Sequence, residues 1–169
     1  MNIIPDLFRD VKLAIFDFDG VFTDNCVQVS QEGIESVICY RSDGIGLSRL
    51  VEVGVESMIL SSESNPVVSQ RAKKLNIKCM QSIKNKKNEV LSLSKELSVD
   101  LDQILFMGND INDLEAMQVV GFPVAVADAF DEIIPFVKYI TKKKGGLGAV
   151  REICDLIYFA KLHTKKITK

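Results

Sequence analysis

The chain has 169 residues, 47% of them hydrophobic, enough for one compact domain with a real core and too little for two ordinary ones. Lysine and arginine number 21 against 23 aspartates and glutamates, a net charge of −2, so no global field favours nucleic acid or an anionic membrane and the expected partner is a small molecule. The opening MNIIPDLFRD has no basic segment leading into an apolar one, and no run approaches the ~20 apolar residues that span a bilayer, so a cytoplasmic location is expected.

Along the chain, short β-branched runs alternate with amphipathic segments. VKLAIF (11–16) reads as a buried strand. CVQVSQEGIESVICY (26–40), two alternating runs around a glycine-containing turn, reads as a β-hairpin that could close over what precedes it. Helix-like GIGLSRLVEV, NPVVSQRAKKL and NKKNEVLSLSKEL are interleaved with strand-like VESMIL, IKCM, QILFM and GFPVAVA, the signature of a parallel sheet wrapped by helices. Ser64 or Asn65 can cap the second helix, with Pro66 at its first helical position. The lysine-rich ITKKKGG and HTKKITK read as solvated charge, and His163 in the latter as solvent-facing. Cys26, Cys39, Cys79 and Cys154 have neither metal-site spacing nor the density of a disulfide scaffold, and read as reduced packing residues.

In open α/β sheets, ligands bind beyond the carboxyl ends of the strands. Four polar clusters fall there: Asp17 and Asp19 in LAIFDFDGVFTDN, then Ser61, Ser62 and Glu63, then Lys84, Lys86 and Lys87, then GNDIND, 108–113. Each alone passes for a turn, a cap or a solvated helix face. Four in register across successive strands suit phosphoryl transfer, in which a cation lets a carboxylate nucleophile approach an anionic phosphate while a lysine and a hydroxyl hold its oxygens.

DFDGVFTDN, Ser61, Lys86 and GNDIND resemble, in order, the four motifs of the haloacid dehalogenase-superfamily phosphatases. The hairpin, RSDGIGLSRL and KKKGGLGAVREICDLI resemble more narrowly the phosphatases of 3-deoxy-octulosonate 8-phosphate and of nonulosonate (sialic acid-like) 9-phosphates, over roughly residues 12–157. The resemblance implies a single Rossmann-like α/β domain, 1–169, with helices on both faces, a hairpin flap and no cap. It implies Asp17 as nucleophile, Asp19 as general acid and base, and Ser61 and Lys86 on the phosphoryl oxygens. Mg²⁺ would be held through Asp17, the Asp19 carbonyl and a side chain among Asn109, Asp110 and Asp113. It further implies a homotetramer in which neighbours cover each site, with the hairpin and GGLGAVREI as contact surfaces.

Asp24 is read as a brace for the first loop before a catalytic group, and Asp43 as a helix N-cap. Two departures stand out. Asn109 occupies the position where relatives carry an aspartate ligand, removing one charge from the metal shell. Ser62-Glu63 follows Ser61 where octulosonate phosphatases continue Gly-Arg; this resembles the nonulosonate phosphatases and the phosphatase-like domain of acylneuraminate cytidylyltransferases, and implies that Glu63, Arg71 and Lys74 read the sugar. The expectation is an Mg²⁺-dependent hydrolase of a nonulosonate 9-phosphate, with the octulosonate 8-phosphate enzyme as the alternative. A catalytically weak oligomerisation or regulatory domain, favoured by Asn109, is a rival, as is a phospho-accepting receiver domain, which the DxD spacing and the hairpin oppose.

Overall fold

The computed structural model describes residues 7–167, with side chains as far as His163. The sheet strands are β1 (Leu13–Phe16), β4 (Glu56–Leu60), β5 (Lys78–Met80), β6 (Ile104–Gly108), β7 (Phe122–Ala125) and β8 (Tyr139–Ile140). The helices are α1 (Asp43–Glu52), α2 (Val67–Leu75), α3 (Lys86–Glu96), α4 (Ile111–Met117) and α5 (Ala149–Ile167). All six strands pair in parallel in the order β5-β4-β1-β6-β7-β8. The chain builds outward from β1 on one side, then returns to β6 and builds outward on the other. That reversal opens a crevice between β1 and β6 at their carboxyl ends, the place where such sheets hold ligands.

Both sheet faces are covered, so the central strands carry no polar alternation: LAIF is buried throughout. Ala14, Phe16, Ile59, Leu105 and Met107 face one core with Leu47 and Leu50 of α1, Val68 of α2, and Val150, Ile153 and Ile157 of α5. Leu13, Ile15, Met58, Ile104 and Phe106 face the other with Val90 of α3 and Ala116 and Met117 of α4. The expected α/β architecture with helices on both faces is therefore what forms.

The hairpin is present as β2 (Gln28–Val29) and β3 (Glu35–Ser36), antiparallel and outside the main sheet. Val27, Val29, Ile34 and Ile38 on it are exposed. At α2 the N-cap falls on Pro66, one place before the first helical position expected for it, and Asn65, one residue earlier, still accepts the Val67 N–H through Oδ1 (3.0 Å). Asp43 is different: it is the first residue of α1 and does not cap it. Its Oδ1 instead accepts the Arg151 N–H (3.2 Å) in the first turn of α5, so the carboxylate serves the distant helix whose N-terminal end attracts negative charge. Strand β8 is also an addition: two residues between Lys138 and Thr141 leave no periodic signal. Among the described residues, no helix is long and apolar enough to cross a membrane.

Candidate active site

Asp17 is the first residue beyond β1, and its N–H still donates to the Met107 carbonyl of β6 (2.9 Å), which carries strand geometry to the edge of the crevice. The chain then winds into a tight loop in which the Val21, Phe22 and Thr23 N–H groups converge on the Phe18 carbonyl at 2.9–3.3 Å. Thr23, fully buried, accepts from the Gly20 N–H (3.1 Å) and the Asn25 N–H (3.2 Å) through Oγ1. Asp24 accepts the Cys26 N–H (3.1 Å), in keeping with a brace, but Thr23 is the principal one and sequence reasoning overlooked it.

A second segment clamps this loop from outside. A Cβ at Gly145 would collide with the Gly20 carbonyl and one at Gly146 with Thr23 and the Asp24 nitrogen; the Gly146 N–H donates to the Val21 carbonyl (3.0 Å). Lys142, Lys143 and Lys144 are exposed, as expected, yet the backbone after them is part of the site's frame. Of GGLGAVREI, Ala149, Val150 and Ile153 are buried within their own chain, so that segment offers little beyond Leu147 as a contact surface.

Asn85 caps α3, accepting the Asn88 N–H through Oδ1 (2.8 Å), and thereby sets Lys86 at the start of the helix, pointed inward. Lys86 Nζ lies 2.7 Å from Asp17 Oδ1 and 2.7 Å from Asp113 Oδ1, and all three side chains are at least 95% buried. Lys84 is exposed and Lys87 half-buried. Asp113 uses its other oxygen on the Asn109 N–H (2.9 Å), in a capping box with Asp110 at the start of α4. Gly108 is required here, because a Cβ would overlap the Asp113 carboxylate. Both Asp113 oxygens are thus engaged, and the side chain stands behind Lys86.

Burial, then the Asp113 charge, push the Asp17 carboxyl above its ordinary range against the pull of Lys86. Burial draws Lys86 down, but the two carboxylates outweigh it and its pKa ends above the usual lysine value, so it stays cationic. Asp19, half-buried, is also raised, first by burial and then by the charge of Glu63, with Glu35 adding to it. A nucleophile beside a fixed cation and a neighbouring carboxyl that holds its proton longer than usual are the pair that phosphoester cleavage requires.

Ser61, buried, continues β4 one residue past the level of Asp17, as the register of Phe16 with Ile59 requires. Its Oγ accepts the Glu63 N–H (3.1 Å), which turns the chain back toward the crevice. Glu63 and Asp19 line one cavity of about 280 Å³ under the hairpin. Arg71 and Lys74 do not line it: Arg71 donates to the Tyr40 carbonyl (2.9 Å), tying α2 to the end of the hairpin, and Lys74 is exposed. His163 is exposed, its Nδ1 2.8 Å from the Phe159 carbonyl.

Among the described residues, no group of three His, Cys, Asp or Glu side chains is placed to hold a metal. A hard cation needs only oxygens, and not all anionic ones. The Asn109 side chain lies directly over Gly20, where a Cβ would displace it; among the described residues it makes no hydrogen bond, and the Asp19 carbonyl accepts none. Those two oxygens with the Asp17 carboxylate form a donor set that fits Mg²⁺, with one formal charge. Asp110, which accepts the Ile111 N–H (2.7 Å), and Asp113 are occupied in holding this loop.

Residues 55–153 match the family model described as haloacid dehalogenase-like hydrolase. The chain is 33% identical over 153 residues, 90% of its own length and 81% of the relative's, to the 3-deoxy-D-manno-octulosonate 8-phosphate phosphatase KdsC of Escherichia coli K12. Its fold is similar, with a TM-score of 0.90 and 33% identity, to that of the 3-deoxy-D-manno-octulosonate 8-phosphate phosphatase of Moraxella catarrhalis in complex with magnesium, phosphate and KDO, covering 99% of this chain and 97% of that one. A hypothetical protein of Xanthomonas campestris is similar with a TM-score of 0.91 and 36% identity over 98% of this chain and 91% of its own.

Proposed function

Because this chain belongs to the haloacid dehalogenase-like hydrolases and keeps an intact nucleophile, acid and cation, we propose that it is a Mg²⁺-dependent phosphatase of a keto-deoxy sugar acid phosphate. The observation that carries the reading is the buried ion pair of Lys86 with Asp17, next to Asp19 at the mouth of a substrate-sized cavity.

Asp17, held by Lys86, attacks phosphorus; the P–O bond to the sugar breaks and Asp19 gives its proton to the leaving oxygen. Asp19 then takes a proton from water as it attacks the aspartyl-phosphate, releasing inorganic phosphate and restoring Asp17. Ser61 and Lys86 hold the phosphoryl oxygens, and Asp113 holds Lys86. The Asp17 carboxylate, the Asp19 carbonyl and Asn109 would hold Mg²⁺, which would supply the charge neutralisation that lets two anions approach.

The octulosonate phosphatases among the relatives support 3-deoxy-octulosonate 8-phosphate as substrate. One observation favours a nonulosonate 9-phosphate: Glu63, which with Ser62 stands in place of the Gly-Arg continuation, lines the cavity beside Asp19. Phosphate release from both compounds with Mg²⁺, by wild type and Asp17→Asn, tests the reading; release from neither, or equal release by the variant, overturns it. A homotetramer formed through the apolar hairpin face goes with it, since no cap encloses the site. Light scattering that finds an active monomer would remove that part.

A further inference from the structure

The cavity beside Asp19 has an unusual chemistry for a protein that handles sugar acids. Beside Asp19 its polar lining is Asn25, Glu35, Glu63 and Asn65, with Cys26, Val27, Val37 and Val67 as the less polar part, and no lysine or arginine lines it. Glu35 comes from β3 of the hairpin, so its presence here is set by how the flap lies over the crevice. Asn65 fixes it there. The amide Nδ2 donates to Glu35 Oε2 (2.9 Å) while Oδ1 caps the Val67 N–H (3.0 Å), so both ends of the amide are committed.

Among the described residues, each carboxylate keeps one oxygen without a donor. Glu35 spends Oε2 on Asn65, leaving Oε1. Glu63 spends Oε1 on the Ser64 and Asn65 N–H groups (2.6 and 2.7 Å), leaving Oε2. Apart from the neutral amide of Asn25, the free polar atoms of the cavity are therefore carboxylate acceptors, and a group that enters between Glu35 and Glu63 must donate. A hydroxylated carbon chain does so; a carboxylate entering the same space would meet two like charges with no cation between them. Since Asp19 must reach the ester oxygen, the part of the substrate in this cavity is the stretch of carbons next to the phosphate.

We propose that Glu35 is a specificity-determining residue that accepts a hydrogen bond from a hydroxyl of the leaving alcohol near the ester bond, so that the sugar acid binds with its hydroxylated tail under the hairpin and its carboxylate directed away. This rests on the phosphatase reading above and adds the orientation of its substrate. The hairpin is then a reader of the leaving group as well as a cover. Asn65 is a positioning residue, acting through Glu35.

The test compares kcat and KM for wild type, Glu35→Ala, Glu35→Gln, Glu35→Lys and Asn65→Asp. The substrates are 3-deoxy-octulosonate 8-phosphate, ribitol 5-phosphate, which has hydroxyls and no carboxylate, and p-nitrophenyl phosphate, which has neither. Glu35→Ala should lower the kcat/KM ratio of each hydroxylated substrate to p-nitrophenyl phosphate by about 10-fold, mainly through KM, the scale of one lost charged hydrogen bond. Glu35→Gln, which keeps an acceptor, should recover part of it. Asn65→Asp keeps the helix cap but repels Glu35, and should resemble Glu35→Ala. Equal losses on all three substrates, or none, overturn the proposal, as does a lower KM for the sugar acid in Glu35→Lys. If wild type leaves the sugar acid phosphate intact, the substrate reading fails, and the ribitol 5-phosphate arm still decides the role of Glu35.

Discussion

Asp17 and Asp43 are both buried carboxylates pushed well above their ordinary range by desolvation, and they do opposite things. Asp17 stands at the crevice between β1 and β6 and shares a buried lysine with Asp113. Asp43 stands at the α1–α5 junction, where one oxygen accepts the Arg151 N–H and the other, Oδ2, is buried without a partner. The difference teaches that burial alone does not mark a catalytic acid. What marks Asp17 is a cation in direct contact and an opening toward substrate; Asp43 feels the charges of Arg71 and Arg151 but is bridged to neither, and is expected to serve packing at a cost in stability.

The strongest way to break that comparison is to neutralise each aspartate. Asp17→Asn should lower kcat by at least about 10³-fold, since an amide of nearly the same size cannot attack phosphorus. The fold should persist, because Lys86 keeps Asp113. Asp43→Asn should leave turnover largely intact. Steady-state rates with a circular-dichroism check decide it: an active Asp17→Asn variant, after contamination is excluded, removes the nucleophile from the mechanism.

Lys86 sharpens the contrast from the partner's side. Lys86→Met leaves Asp17 and Asp113 facing each other without a cation, and removal of one member of a buried pair costs about 3–5 kcal/mol. Loss of both turnover and thermal stability is expected, with stability partly regained as pH falls and the remaining carboxylates take protons. A variant as stable as wild type at pH 7 would mean that the trio is more hydrated than its burial indicates.

How far such distinctions were legible in the sequence follows from range. LAIF and ILFMG are apolar runs whose strand character is local, and Asp17, Ser61, Lys86 and Asn109 follow from strand ends, so the sheet and the crevice could be placed in advance. Asp43 could not: its partner Arg151 is 108 positions away, and a local rule reads Asp-Gly before a helix as a cap. The seat of Gly145 on the Gly20 carbonyl and the arrival of Glu35 beside Asp19 have the same origin, since neither carries a periodic signal. Asp113 looked like a ligand because GNDIND offers four polar side chains, two of them carboxylates; only the fold shows Lys86 and the Asn109 N–H already using it.

The pH dependence of stability tests Asp43 directly. Its folded carboxyl holds a proton up to about 7, whereas the unfolded one releases it near 3.8. Between those values the native state binds more protons, so this residue makes stability fall as pH rises through the window, and the full penalty is present above it. The fall is about 1.4 kcal/mol for every pH step across which the folded carboxyl is protonated and the unfolded one is not. Asp43→Asn, which can still accept the Arg151 N–H, should lose less stability than wild type between pH 5 and pH 8 and exceed it at pH 8. Denaturant melts that run parallel across that range would show that Asp43 is ionised at little cost.

The smallest effect concerns Asn109, which faces the same crevice as Asp17 but brings no charge. Mg²⁺ prefers oxygen donors and favours anionic ones, so Asn109→Asp should lower the Mg²⁺ concentration for half-maximal activity by a few-fold, about the scale of one added charge near a hydrated ion. The position over Gly20 accepts either side chain, since aspartate and asparagine share a shape. The opposing effect is repulsion from Asp17, already raised by the Asp113 charge, and a third carboxylate would raise it further when no metal is bound. The two effects separate in the assay: the first moves the metal midpoint, and the second lowers activity at limiting metal and disappears at saturation. Asp113→Asn should instead reduce kcat at saturating metal, because its oxygens hold Lys86 and the Asn109 N–H. If Asp113→Asn shifts the midpoint and Asn109→Asp does not, the ion is held by Asp113, and the division between a metal-facing Asn109 and a lysine-holding Asp113 is wrong.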